Sequence, residues 1–196
     1  MSNLAHQFPN GFKEIRRKEK LDGVIHLMSP SACVYHGLVS LSIASIFKRH
    51  LKGKPCTPFG DGVDVFLTED DTVIPDAMIV CNRDIIKKNG IHGAPDLIVE
   101  VLSPSTASND KNYKKNLYER CGVKEYWIVD VHNYTVDVFH LVDGKYVLAG
   151  IYTSHEEAWL AERTQEELDA IIYTFKVSLF NDFVVDVREI FEDIDF

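Results

Sequence analysis

The spacing of apolar residues changes character several times along this 196-residue chain. From Val34 to Leu51, apolar residues at Val34, Leu38, Leu41 and Leu51, with Val39, Ile43, Ile46 and Phe47 beside them, keep a helical period. This stripe predicts an amphipathic helix with Ser29 or Ser31 as its cap. The period then shortens to two. Residues 63–67 read as a strand, Glu69-Asp70-Asp71 as a turn, and residues 73–81 as the second strand of an antiparallel hairpin. Residues 96–102 predict a third strand, apolar enough on both sides to lie inside a sheet.

Ser103-Pro104-Ser105-Thr106 ends that strand, and residues 110–121 read as a helix with Asn109 or Asp110 as cap and Gly122 as terminator. Residues 125–131 and the cleanly alternating 135–141 predict a fourth and a fifth strand. Past Gly144 the periodicity weakens, although Thr164-Gln165-Glu166-Glu167 has the form of a capping box and residues 175–187 read as strand. A hairpin, a central strand, a crossover helix and further strands predict an α/β fold, a mixed β-sheet flanked by helices. No repeat or linker divides the chain, and its length suits one domain over residues 1–196.

Composition changes this picture little. A hydrophobic content of 45% and a charged content of 26% are ordinary for a globular chain, and no apolar run is long enough to span a bilayer. Residues 1–20 lack the apolar core of a secretory signal, and Cys33, Cys56, Cys81 and Cys121 are widely spaced without a CxxC pair. The expectation is a cytoplasmic protein with reduced thiols and no membrane partner. The formal charge of −9 argues against a bulk electrostatic grip on nucleic acid, leaving room for a local basic face beside acids that collect divalent cations. There is no GxSxG elbow, no phosphate-binding glycine loop and no Cys beside a recognisable base, which removes covalent hydrolases and P-loop enzymes.

Acids inside apolar strands remain to be explained. A buried carboxylate is costly unless it is protonated, paired or bound to a cation. Alternation puts Asp96, Ile98, Glu100 and Leu102 on one face of the third strand, and Asp76 on a face with Met78 and Val80. If these strands are neighbours, Asp76 and Glu100 meet around a hard cation. Asp64 on the first strand either joins them or protects a sheet edge. Asp96, just after Pro95, reads as a turn residue. Lys111, Lys114 and Tyr118 share a helical face that can pack over the third strand and aim an ammonium at the carboxylates. His36 on the first helix either approaches the site or, as a single helical histidine more often does, is packed or hydrogen-bonded.

Pro75-Asp76 followed by Glu100 resembles the PD-(D/E)xK nuclease motif, with Leu102 where that motif has lysine. The chain also carries Leu21-Asp22-Gly23, Met28-Ser29-Pro30-Ser31, Glu100-Val101-Leu102-Ser103-Pro104-Ser105-Thr106, Asp110, Lys114, Tyr118 and Gly122-Val123-Lys124-Glu125-Tyr126-Trp127. Taken together it resembles the Uma-two family of restriction endonucleases. The resemblance implies a restriction-endonuclease-like fold and a metal-dependent endonuclease that hydrolyses phosphodiester bonds in DNA. It further implies Mg²⁺ or Mn²⁺ held by Asp76 and Glu100, with Asp64 and the Val101 carbonyl. Lys114 would replace the missing strand lysine, with Lys111 as second candidate. A homodimer is expected, because cutting both strands needs two sites. One rival is a catalytically inactive nucleic-acid- or protein-binding module that keeps the fold. Another is a carboxylate-pair hydrolase acting on sugars, which needs its acids facing across a groove.

Overall fold

In the computed structural model, which describes residues 17–27, 33–103 and 110–194, β1 (Lys18–Leu21) and β2 (Val24–Leu27) form a hairpin ahead of the long helix α1 (Val34–His50). Then follow β3 (Thr57–Gly60), β4 (Val65–Phe66), β5 (Thr72–Val73), β6 (Ala77–Val80), β7 (Ile86–Lys87), β8 (Gly90–His92) and β9 (Leu97–Val101). A π-helical turn over Asp110–Lys114 runs into α2 (Lys115–Cys121). The chain ends with β10 (Glu125–Asp130), β11 (Thr135–Val142), β12 (Lys145–Thr153), the short helices α3 (Glu157–Ala161) and α4 (Gln165–Asp169), β13 (Thr174–Lys176), β14 (Val184–Asp186) and α5 (Val187–Ile190).

The main sheet has six strands in the order β12-β11-β10-β9-β6-β3; β9 and β10 are parallel and the other neighbours antiparallel. Its middle strand β9 is buried along its whole length because both faces are covered. On one face α1, the β13–β14 hairpin and α5 pack over Leu97, Val99, Val101 and Trp127. On the other, α2 and the second six-stranded sheet, ordered β2-β1-β5-β4-β8-β7, pack over Ile98, Met78 and Tyr126. This is the mixed α/β architecture, with sheets flanked by helices, that the periodicity predicts.

Several local expectations need correction. Residues 73–81 do not form one strand. Pro75 has no N–H to give to a ladder, so the chain leaves the smaller sheet after β5 and joins the main sheet at β6. The hairpin partner of β4 is therefore β5 alone. Residues 175–187 split into β13, a turn and β14, and helix α5 starts at Val187. The nine-residue β12 carried no readable pattern, because as an edge strand it leaves Val147, Leu148 and Ile151 exposed.

The helix from Val34 stands, but its buried face is Val39, Ile43, Ile46 and Phe47, while Val34 and Leu41 of the expected stripe are exposed; Cys33 precedes its first turn without a side-chain cap, and Ser29, Ser31, Ser105, Thr106 and Asn109 lie outside the described residues. Gly122 stops α2 at φ 83°, a left-handed conformation that glycine adopts freely. Thr164 and Glu167 make the reciprocal capping box. The expectation of four reduced thiols is also corrected, since Cys56 and Cys81 are disulfide-bonded. The β3–β6 register, with Thr57 across from Val80, sets these cysteines face to face just beyond the paired strands. Two of the four thiols behind the cytoplasmic expectation are thus bonded, while Cys33 and Cys121 are free.

Candidate active site

Antiparallel pairing of β6 with β9, Met78 to Ile98 and Ala77 to Val99, brings the Pro-Asp segment against the acid-bearing strand. Asp76 brackets Glu100. Its N–H donates to the Val99 carbonyl at 3.2 Å, and its Oδ2 accepts the Val101 N–H at 2.7 Å. The carboxylate thus takes the place of a backbone acceptor in the ladder, which fixes its position. Its other oxygen, Oδ1, lies 3.3 Å from Nε2 of His36 in the first turn of α1. Burial works against a charged His36, but the hydrogen bond and charge of Asp76, the charge of Asp61 and the Val101 backbone together raise its pKa.

Glu100 sits mid-strand, facing α2. Its Oε1 accepts from the Tyr118 hydroxyl at 2.5 Å and from Lys114 Nζ at 3.1 Å. Lys114 is 2% exposed, and three carboxylates surround its ammonium: Glu19 at 2.9 Å, Glu100 at 3.1 Å and Asp110 at 3.3 Å. The π-helical turn helps to make this possible, since it carries both Asp110 and Lys114 into the interior. The Asp110 carbonyl in turn accepts from the buried Tyr126 hydroxyl at 3.0 Å.

One ammonium cannot balance so many acids. Burial pushes the Glu100 carboxyl well above the usual carboxylate range; Lys114 pulls it down, while Asp110, Asp76 and Glu19 push it further up. Burial opposes the Lys114 charge, yet Glu100, Glu19 and Asp110 outweigh it and hold its pKa above the ordinary lysine value. A proton on Glu100 relieves this crowding of acids, and a divalent cation in its place would do the same.

The structure seats the Asp76 carboxylate on the Val101 N–H and the Lys114 ammonium on Glu100, on adjacent residues of β9. Lys111, by contrast, is exposed on the π-helical turn. Asp64 lies ahead of β4 in the smaller sheet, where its carbonyl accepts the Ile91 N–H, and among the described residues its side chain is not gathered with Asp76 and Glu100 as a set of three ligands. Asp96 is a turn anchor, accepting from the Cys81 N–H and pairing with Lys124. Sequence reasoning missed Glu19, which reads as part of a solvated Lys-Glu-Lys run, and favoured packing for His36 over an approach to the site, while Asp110 entered only as a helix cap and as part of the family resemblance.

Whether these residues suit a divalent cation turns on their donor chemistry. Two carboxylates and a peptide carbonyl are hard oxygen donors of the kind Mg²⁺ and Mn²⁺ take, and an imidazole beside them suits Mn²⁺. Among the described residues, no three His, Cys, Asp or Glu side chains are already gathered as a ligand set. The donors fit the group by type and by charge.

Comparisons with known proteins bear on the family and the fold. A family model described as "Uma2: Putative restriction endonuclease" matches residues 4–172. The chain is 28% identical over 135 residues to the uncharacterized protein slr1290 of Synechocystis sp., a match covering 66% of this chain and 70% of that one. A crystal structure described as "a putative nuclease belonging to DUF820" from Anabaena variabilis superposes with a TM-score of 0.66 at 16% identity, covering 89% of each chain.

Proposed function

We infer the activity from a plain premise, that this chain belongs to the Uma2 family and has a restriction-endonuclease-like fold. We propose that it is an endonuclease that hydrolyses phosphodiester bonds in DNA with Mg²⁺ or Mn²⁺, working as a homodimer whose subunit is one domain over residues 1–196. The observation that carries this reading is the buried Lys114 ammonium on Glu100, on the strand that Asp76 joins.

Asp76, Glu100 and the Val101 carbonyl would hold the cation, with His36 at its edge. A bound divalent ion lowers the pKa of a coordinated water and draws charge from the scissile phosphate. Lys114 stays protonated among its three carboxylates, so its part is to orient the water and to neutralise charge building on the phosphate. The Tyr118 hydroxyl holds Glu100 in one rotamer. Asp64 and Lys111 take no part in this arrangement.

The rival reading, a binding module that keeps the fold without cutting, is favoured by one observation: among the described residues, Lys114 is already ion-paired to three protein carboxylates. Incubation with supercoiled plasmid and Mn²⁺ decides between them. The full chain is expected to nick and linearise the plasmid, and Glu100→Ala and Lys114→Ala to lose about 100-fold or more in rate. A wild-type chain that binds plasmid and leaves it intact supports the module, whereas equal nicking by wild type and both variants marks a contaminant.

A further inference from the structure

Glu19 takes no part in the chemistry just assigned, yet it is buried and holds two parts of the site at once. Its Oε1 accepts the Ile74 N–H at 2.9 Å, and the same oxygen lies 2.9 Å from Lys114 Nζ. Ile74 is the residue at which the chain leaves β5 on its way to Pro75 and Asp76. The adjacent lysines are not its partners, since Lys20 reaches the Glu69 carbonyl and Asp70 instead.

The other contacts of Lys114 show why this matters. Asp110 belongs to the same π-helical turn, four residues back, so that ion pair fixes nothing outside the turn. Glu100 ties the ammonium to β9 alone. Glu19 comes from the smaller sheet and supplies an anchor in a different direction. A lysine has four flexible side-chain bonds and needs such an anchor to hold one position.

We propose that Glu19 is a positioning residue of the nuclease site: one of its carboxylate oxygens couples the Lys114 ammonium to the segment that delivers Asp76, so that both halves of the site keep a fixed separation. The proposal rests on the endonuclease reading above. Glu19→Ala removes both contacts, whereas Glu19→Gln leaves an amide oxygen for the Ile74 N–H and removes the charge facing Lys114.

In the full chain with Mn²⁺ and supercoiled plasmid, Glu19→Ala is expected to keep the wild-type near-UV circular dichroism and a plasmid Kd within about twofold, while its single-turnover cleavage rate falls about 100-fold. Glu19→Gln is expected to fall between the two. Cleavage by Glu19→Ala within about threefold of wild type overturns the proposal, as does a weaker Kd with an unchanged rate. A second measurement needs neither cleavage nor a folded variant. In NMR of the wild-type chain with isotope-labelled lysine, the Lys114 ammonium is expected to exchange slowly with water and to show a cross-peak to the Ile74 amide proton. An ammonium exchanging as fast as surface lysines overturns the tether. An inactive wild-type chain that shows the cross-peak defeats the nuclease reading alone.

Discussion

At Lys114 the balance of charge sets unequal costs for neighbouring residues. Three carboxylates share its ammonium, so removing the ammonium strands all of them, whereas removing one acid relieves crowding. Lys114→Met is therefore expected to cost about 3–5 kcal/mol in urea unfolding without metal. Glu100→Gln is expected to be near neutral at acid pH and stabilising at alkaline pH. The sign follows from linkage: the Glu100 pKa is raised in the folded chain, so the folded state keeps a proton that the unfolded state releases. Stability from this group is full below the unfolded carboxylate range and declines as pH rises toward the folded value. Unfolding curves at about pH 5 and pH 8 should show wild type losing ground to Glu100→Gln across that interval. An unchanged difference between the two proteins contradicts the assigned direction.

Among the elements, β6 depends on its neighbours because it is only four residues long and carries the Asp76 segment into the sheet. On one side it pairs with β9, on the other with the edge strand β3, and the Cys56–Cys81 disulfide bonds the outer pair together. Closing that 25-residue separation restricts the unfolded chain, and the chain-entropy account assigns about 3.5 kcal/mol to it. Reduction, or Cys81→Ser, is expected to lower the urea midpoint accordingly and to steepen the transition, because the unfolded chain without the cross-link is less compact. If reduction leaves the midpoint in place, the bond contributes nothing to holding β3.

Over the whole molecule, the formal charge of −9 opposes the approach of a polyanion, and the acids around Lys114 concentrate that opposition at the site. Divalent cations are therefore expected to control DNA binding as well as cleavage. Fluorescence anisotropy of a labelled duplex at physiological salt should show no saturable binding in chelator and clear binding with Ca²⁺, weakening steeply as salt rises. Equal affinity in chelator would mean that binding uses a basic surface away from Asp76 and Glu100.

Much of this protein was legible in its order of residues. Helical spacing at Val39, Ile43 and Phe47, the apolar run around Glu100 and the glycine at position 122 report local geometry, which short-range sterics and burial dictate. Asp76 and Glu100 stood out because a charge inside a strand conflicts with its surroundings. What could not be read were contacts between segments distant along the chain: Glu19 on Lys114, His36 on Asp76, Cys56 on Cys81, and the switch of sheets at Pro75. Glu19 in Lys18-Glu19-Lys20 has the local pattern of a solvated residue, and only the packing of β1 beside β5 buries it. Periodicity records which side of an element faces inward, whereas the partner it meets there is decided by how the sheets and helices assemble.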